Sequence, residues 1–163
     1  SLHPIEIGRG EVLREGQDVV ILAIGSTVYP SLRAAEKLAD TGIRVAVINS
    51  RFLKPLDGTL LCDWAKRTGK VLTVEENVLQ GGFGSAVLEL LQERGLASVE
   101  VKRLGIPDIF VEHGSPSLLR AKYGIDEAGI YRAAKEMVEK ESSPSLHSRQ
   151  TRNSFKRVIR NSK

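Results

Sequence analysis

Apolar residues along the chain follow two alternating patterns, short unbroken runs and longer stretches of helical period. Residues 19–25, Val-Val-Ile-Leu-Ala-Ile-Gly, are apolar throughout and end in glycine. A run of that kind reads as a parallel strand covered on both faces. Ile43 to Ile48 and Lys70 to Glu75 repeat it, and Val99 to Leu104 is a fourth, more polar version. Between the runs, Leu32, Ala35, Leu38 and Ala39 share one helical face, with Arg33, Glu36, Lys37 and Asp40 away from it. Leu60, Leu61, Trp64, Ala65 and Thr68 form a second such face, with Asp57 as N-cap and Gly69 as the stop. A third helix is expected after Gly84, with Val87, Leu90 and Leu91 inward and Gly95 ending it. Ser115-Pro116 opens a fourth that Gly124 closes. Asp126 caps a fifth, whose Ile130, Ala133, Ala134, Met137 and Val138 fall at i, i+3, i+4, i+7 and i+8.

Strands alternating with helices of this length predict βαβ units with right-handed crossovers, and so a three-layer α/β/α sandwich. Glu11 to Arg14 adds a short edge strand ahead of the first long run. The turn that follows, Glu15 to Asp18, permits an antiparallel pair but is too short for a parallel crossover. The sheet is therefore expected to be mixed. Periodicity is lost from Ser142 onward in Ser-Ser-Pro-Ser. The expected organisation is one domain over 1–141 and a basic, disordered tail over 142–163.

Composition narrows this picture. A chain of 163 residues, 41% hydrophobic and 27% charged, suits one ordinary globular domain. Only 5% of residues are aromatic, so Val, Ile, Leu and Ala should fill the core. The single cysteine, Cys62, excludes an internal disulfide framework and any multi-cysteine metal site, and it suits a reducing, cytosol-like compartment. No apolar run approaches the roughly 20 residues that span a bilayer, and no charged-then-apolar leader opens the chain. The opening Ser1-Leu2-His3-Pro4 and the lone methionine, Met137, are what a piece of a longer chain would show. The net charge of +4 belongs to the tail. Arg149, Arg152, Lys156, Arg157, Arg160 and Lys163 lie there without an acid, and removing them leaves 18 basic against 20 acidic residues.

Four groups of residues are candidates for chemistry. Gly81-Gly82-Phe83-Gly84-Ser85 follows a strand and opens a helix, where free amides and the helix dipole can hold a phosphate or carboxylate. Its spacing is neither the dinucleotide fingerprint nor a P-loop, so a tight turn with close helix–sheet packing is the preferred reading. The same holds for Gly25-Ser26-Thr27. Glu75-Glu76-Asn77 lies at the C-terminal end of a strand, where open α/β sheets place ligands. Adjacent strand residues point to opposite faces, so the two carboxylates share a site only if the strand has ended; a bonded loop or subunit contact is preferred. Asp108, Glu112 and His113 occupy a loop ahead of Ser115, and a histidine beside a carboxylate can act as base or ligand. His3, His147 and Cys62 offer it no partner set, so a loop anchor is the preferred role. In the tail, Phe155, Val158 and Ile159 among Lys156, Arg157 and Arg160 can form a basic amphipathic helix for a membrane or nucleic acid, though a solvated tail is preferred.

The order of these segments resembles the last domain of the 1-deoxy-D-xylulose-5-phosphate synthase family, thiamine-diphosphate enzymes of the transketolase superfamily. The likeness rests on Gly8-Arg9-Gly10-Glu11-Val12-Leu13-Arg14-Glu15-Gly16, Ala23-Ile24-Gly25-Ser26 and Arg51-Phe52-Leu53-Lys54-Pro55-Leu56-Asp57. It continues through Val74 to Ser85, Leu104-Gly105-Ile106-Pro107-Asp108 and Phe110-Val111-Glu112-His113-Gly114, covering about Pro4 to about Glu139. The resemblance implies a five-stranded mixed sheet with one antiparallel strand. It also implies a parent transferase that condenses pyruvate with glyceraldehyde 3-phosphate, releasing carbon dioxide, for isoprenoid, thiamine and pyridoxal synthesis. That parent uses thiamine diphosphate and Mg2+ and is a homodimer, in the cytoplasm or in a plastid stroma.

By the same resemblance those cofactors sit in preceding domains, so no catalytic, cofactor-binding or metal residue is assigned here and the fragment alone is expected to be inactive. Glu75 to Ser85 and Asp108 to Gly114 become candidate contacts with the other domains and the second subunit. The tail departs from the family pattern. The alternatives are the matching domain of transketolase or of a 2-oxo-acid dehydrogenase β chain, and a free-standing anion- or small-ligand-binding module. A nucleic-acid or membrane adaptor using the tail is a further rival, although neither partner is expected.

Overall fold

The computed structural model describes residues 4–140. His3, His147 and the expected tail lie outside them. Five strands form one sheet: β1 (Glu11–Arg14), β2 (Val19–Ala23), β3 (Val45–Asn49), β4 (Lys70–Val78) and β5 (Glu100–Ile106). Five α-helices accompany them: α1 (Val28–Ala39), α2 (Gly58–Thr68), α3 (Phe83–Glu93), α4 (Pro116–Tyr123) and α5 (Glu127–Glu139). The strand order is β1-β3-β2-β4-β5, parallel except for the antiparallel edge strand β1.

The unbroken apolar runs form strands because both faces are covered. In β2 every residue is buried. Val19, Ile21 and Ala23 join Val45, Val47, Leu72 and Val74 under α1 and α5, while Val20 and Leu22 join Ala46, Ile48 and Val71 under α2 and α3. Two cores thus lie on opposite faces, Met137 and Leu38 in one, Phe83 and Trp64 in the other. Each such side chain contributes about 1.5–3 kcal/mol by leaving water. The helix ends follow local chemistry. Asp57, Ser115 and Asp126 accept hydrogen bonds from Leu60, Leu118 and Gly129, and Gly69 and Gly124 close α2 and α4 with left-handed backbone.

Several details differ from the sequence-based expectation. The antiparallel strand β1 pairs with β3, although the short turn after it suggested its neighbour β2. Both edges of β2 are taken by β3 and β4, so the link must pass the start of β3 to reach it. Gly16 permits that passage: a Cβ there would sit 2.3 Å from the carbonyl carbon of Val45. The amides of Gln17 and Asp18 both donate to the Arg44 carbonyl at 3.0 Å. In α1, Ala39 is exposed, and Ala34 takes its place on the buried face. Helix α3 begins at Phe83, before Gly84. Strand β4 runs on to Val78, three residues past Glu75.

Candidate functional site

The candidate residues gather at the C-terminal edge of the parallel strands, and alternation along β4 divides them. Val74 pairs with Leu104 and Val78 with Ile106, so β4 carries a bulge that holds Glu75, Glu76 and Asn77. Thr73 and Glu75 face α3, and both are fully buried. Glu76 faces the other way, toward the β2–α1 turn and α4. The two carboxylates do not share a site. Asn77 is exposed.

Glu75 is the N-terminal anchor of α3. Its Oε2 accepts from the Phe83 amide at 2.7 Å and its Oε1 from the Gly84 amide at 2.8 Å. Gly82, the N-cap residue, offers no side chain, so the carboxylate takes two of the amides that a helix start leaves unpaired. The glycines give it room. A Cβ on Gly82 would lie 2.4 Å from Glu75 Oε2, and one on Gly84 would lie 2.6 Å from Thr73 Oγ1. Ser85 Oγ accepts from the Gly81 amide at 3.1 Å and donates to the Leu79 carbonyl at 2.7 Å. Arg103 of β5 donates to both, at 3.0 Å to Ser85 Oγ and 2.9 Å to Leu79. The loop from Leu79 to Ser85 is therefore bonded to itself and to β5, and the Phe83 and Gly84 amides are satisfied from within.

Glu76 receives Ser26 Oγ and the Arg120 guanidinium. It joins the β2–α1 turn, the end of β4 and α4 at one point. The hydrogen-bonded Arg120 holds its carboxyl below the usual carboxylate range, with Ser26 adding to the effect against the opposing influence of burial. Glu112 pairs with Lys122 of α4, which likewise lowers its carboxyl, but this pair is exposed and contributes little to stability. Asp108 and His113 are exposed, and their side chains make no hydrogen bond or ion pair among the described residues. Cys62 is buried, which pushes its thiol upward.

Sequence reasoning missed the partners Arg103 and Arg120 and one class of residue altogether. Ile109, Phe110, Val111 and Leu118 are apolar yet exposed, Phe110 completely so at 104%. Tyr29, at the start of α1, is exposed as well. These residues follow the C-terminal ends of β2 and β5, at the same edge as the Glu76–Arg120 pair. Part of the signal was present as three consecutive apolar letters, Ile109-Phe110-Val111, in a loop without helical or strand period.

The geometry sits within a known family. The description "Transketolase, C-terminal domain" matches residues 8–130. The chain is 52% identical over 146 residues to 1-deoxy-D-xylulose-5-phosphate synthase of Desulfotalea psychrophila, covering 90% of this chain and 23% of that protein. It is 56% identical over 145 residues to 1-deoxy-D-xylulose-5-phosphate synthase 1 of Geobacter sulfurreducens, covering 89% and 23%. A solved structure, "Split gene transketolase, inactive beta4 tetramer", superposes with a TM-score of 0.76 at 40% identity, covering 82% of this chain and 43% of that one. The chain thus spans less than a quarter of the length of those two synthases.

Proposed function

The chain belongs to the transketolase C-terminal domain family, and from that premise we propose that it is the C-terminal domain of a 1-deoxy-D-xylulose-5-phosphate synthase, where it docks and supports rather than catalyses. The parent enzyme condenses pyruvate with D-glyceraldehyde 3-phosphate, using thiamine diphosphate and Mg2+ as a cytoplasmic homodimer. The observation that carries the docking role is the apolar edge of Tyr29, Ile109, Phe110, Val111 and Leu118, which the described fold leaves uncovered. Its partner surface would come from the preceding domains and the second subunit. The domain proper is proposed to cover 1–141.

The described residues do not suit a diphosphate or its metal. The one helix start that follows a glycine-rich turn spends its Phe83 and Gly84 amides on Glu75, and a diphosphate there would have to expel a buried carboxylate. Among the described residues no three His, Cys, Asp or Glu side chains converge. The same internal capping weighs against the free-standing anion-binding module. In this reading thiamine diphosphate and Mg2+ are held by the preceding domains.

A chimera tests the proposal. The matching 23% of the Geobacter sulfurreducens synthase is replaced by this chain. The chimera should turn over pyruvate and glyceraldehyde 3-phosphate, and the isolated chain should not. Turnover by the isolated chain, or a folded chimera without activity, would overturn it.

A further inference from the structure

We propose that a cleft at the opposite end of the strands, between the β1–β2 link and the last turn of α2, binds a small phosphate-bearing ligand. The inference goes beyond the docking role and does not depend on it. The cleft has a volume of about 390 Å3 and is lined by Arg14, Gln17, Arg44, Trp64 and Arg67, together with the link residues Glu15 and Gly16. That volume suits a small molecule.

Three guanidinium groups, from β1, α2 and the turn before β3, meet there with few partners. Arg14 lies at the end of β1, just past a bulge: Val12 pairs with Ile48 and Arg14 with Val47, so two steps on β1 match one on β3. Bulges re-aim side chains in this way. The Arg14 Nε is buried and has no hydrogen-bond partner. A buried, unsatisfied N–H of a charged group is costly, and an acceptor that reached it would offset that cost. Arg67 lies over the Trp64 ring, 5.0 Å from its centroid, which holds its planar head in place. The Arg44 guanidinium makes one 3.4 Å contact with Asp18, whose other oxygen accepts from the Arg44 amide at 2.6 Å, and the side chain is 60% exposed.

Two carboxylates temper this charge, Glu15 in the lining and Asp18 against Arg44. A singly charged anion therefore gains little over water. A phosphate carries up to two charges and several acceptor oxygens, which guanidinium forks match in pairs. Gly16 fixes the link against β3, and the Gln17 and Asp18 amides hold it there, so the cleft wall is preformed.

The test is a nuclear magnetic resonance titration of the nitrogen-15-labelled chain with inorganic phosphate, pyrophosphate and, as a monoanion, acetate. Saturable shifts are expected with both phosphates at the Arg14 and Arg67 Nε–H groups, the Gln17 amide and the Trp64 indole. Arg14→Gln and Arg67→Gln should each weaken the Kd roughly tenfold or more. Arg67 is exposed, so its variant decides the question if Arg14→Gln does not fold. Unsaturated shifts at millimolar phosphate, equal shifts with acetate, binding unchanged in Arg67→Gln, or shifts centred on Phe83 and Gly84 would each overturn the proposal.

Discussion

The Oε1 atom of Glu75 lies 2.8 Å from the amide nitrogen of Gly84, nine residues further along the chain, and this contact decides what the glycine-rich turn is for. The turn is shaped around an anion that the protein itself supplies. In Glu75→Gln one oxygen becomes an amide group that faces another N–H, leaving a buried donor unpaired. The variant is expected to lose about 1–3 kcal/mol, read as a lower urea midpoint at unchanged slope. An unchanged midpoint would show that the capping contact contributes nothing.

Gly81 and Gly82 answer to different physics. Gly82→Ala places a Cβ 2.3 Å from the Val78 carbonyl oxygen, a backbone atom that cannot swing aside, and about 3 kcal/mol of destabilisation is expected. Gly81 has nothing within 4 Å but a φ of +72°, so Gly81→Ala should cost only about 1 kcal/mol. Thermal unfolding of the two variants side by side checks the order, and the reverse order would contradict it.

Glu76 makes stability depend on acidity. Arg120 depresses its carboxyl below the ordinary 4.5. The stability this pair contributes is therefore complete above that value and is lost as the pH falls through the depressed one. Arg120→Met removes the largest cause and leaves the Ser26 bond, and the variant should lose less stability than the native chain between about pH 5 and about pH 3. Parallel urea-midpoint profiles for the two proteins would refute this.

Phe110 supports no part of the described core. Phe110→Ser is expected to leave unfolding of the isolated chain within about 0.5 kcal/mol of native. In the Geobacter chimera the same change should weaken assembly, seen as a shift toward smaller species in sedimentation. A destabilised isolated chain, or unchanged assembly, would remove Phe110 from the docking surface.

The central strands and their helices were readable because burial on both faces leaves an unmistakable run, as in Val19 to Ala23. Caps at Asp57, Ser115 and Asp126 were readable because they act over three residues. What escaped was long-range. The cap of α3 comes from Glu75, so nothing in residues 80–84 marks a helix start at Phe83. Arg103 and Arg120 meet partners 18 and 44 residues away, and no local pattern shows that. Strand β4 outlasts its apolar run because β5 supplies backbone partners to Val78 while Glu76 and Asn77 stand outside the core. The turn after β1 resembles a hairpin locally, and only the competition for the edges of β2 assigns β1 to β3.

That assignment sets a timetable for the nascent chain. A ribosome delivers Glu11 to Arg14 before the other strands of this sheet, yet their hydrogen-bonding partner ends at Asn49. Until then β1 has no ladder to join, and β2 cannot serve as a temporary mate without surrendering the edge that β3 needs. Within this sheet the earliest strand therefore waits on the third, and once β3 is made its outer edge is open to any neighbouring chain that reaches it before β1 does.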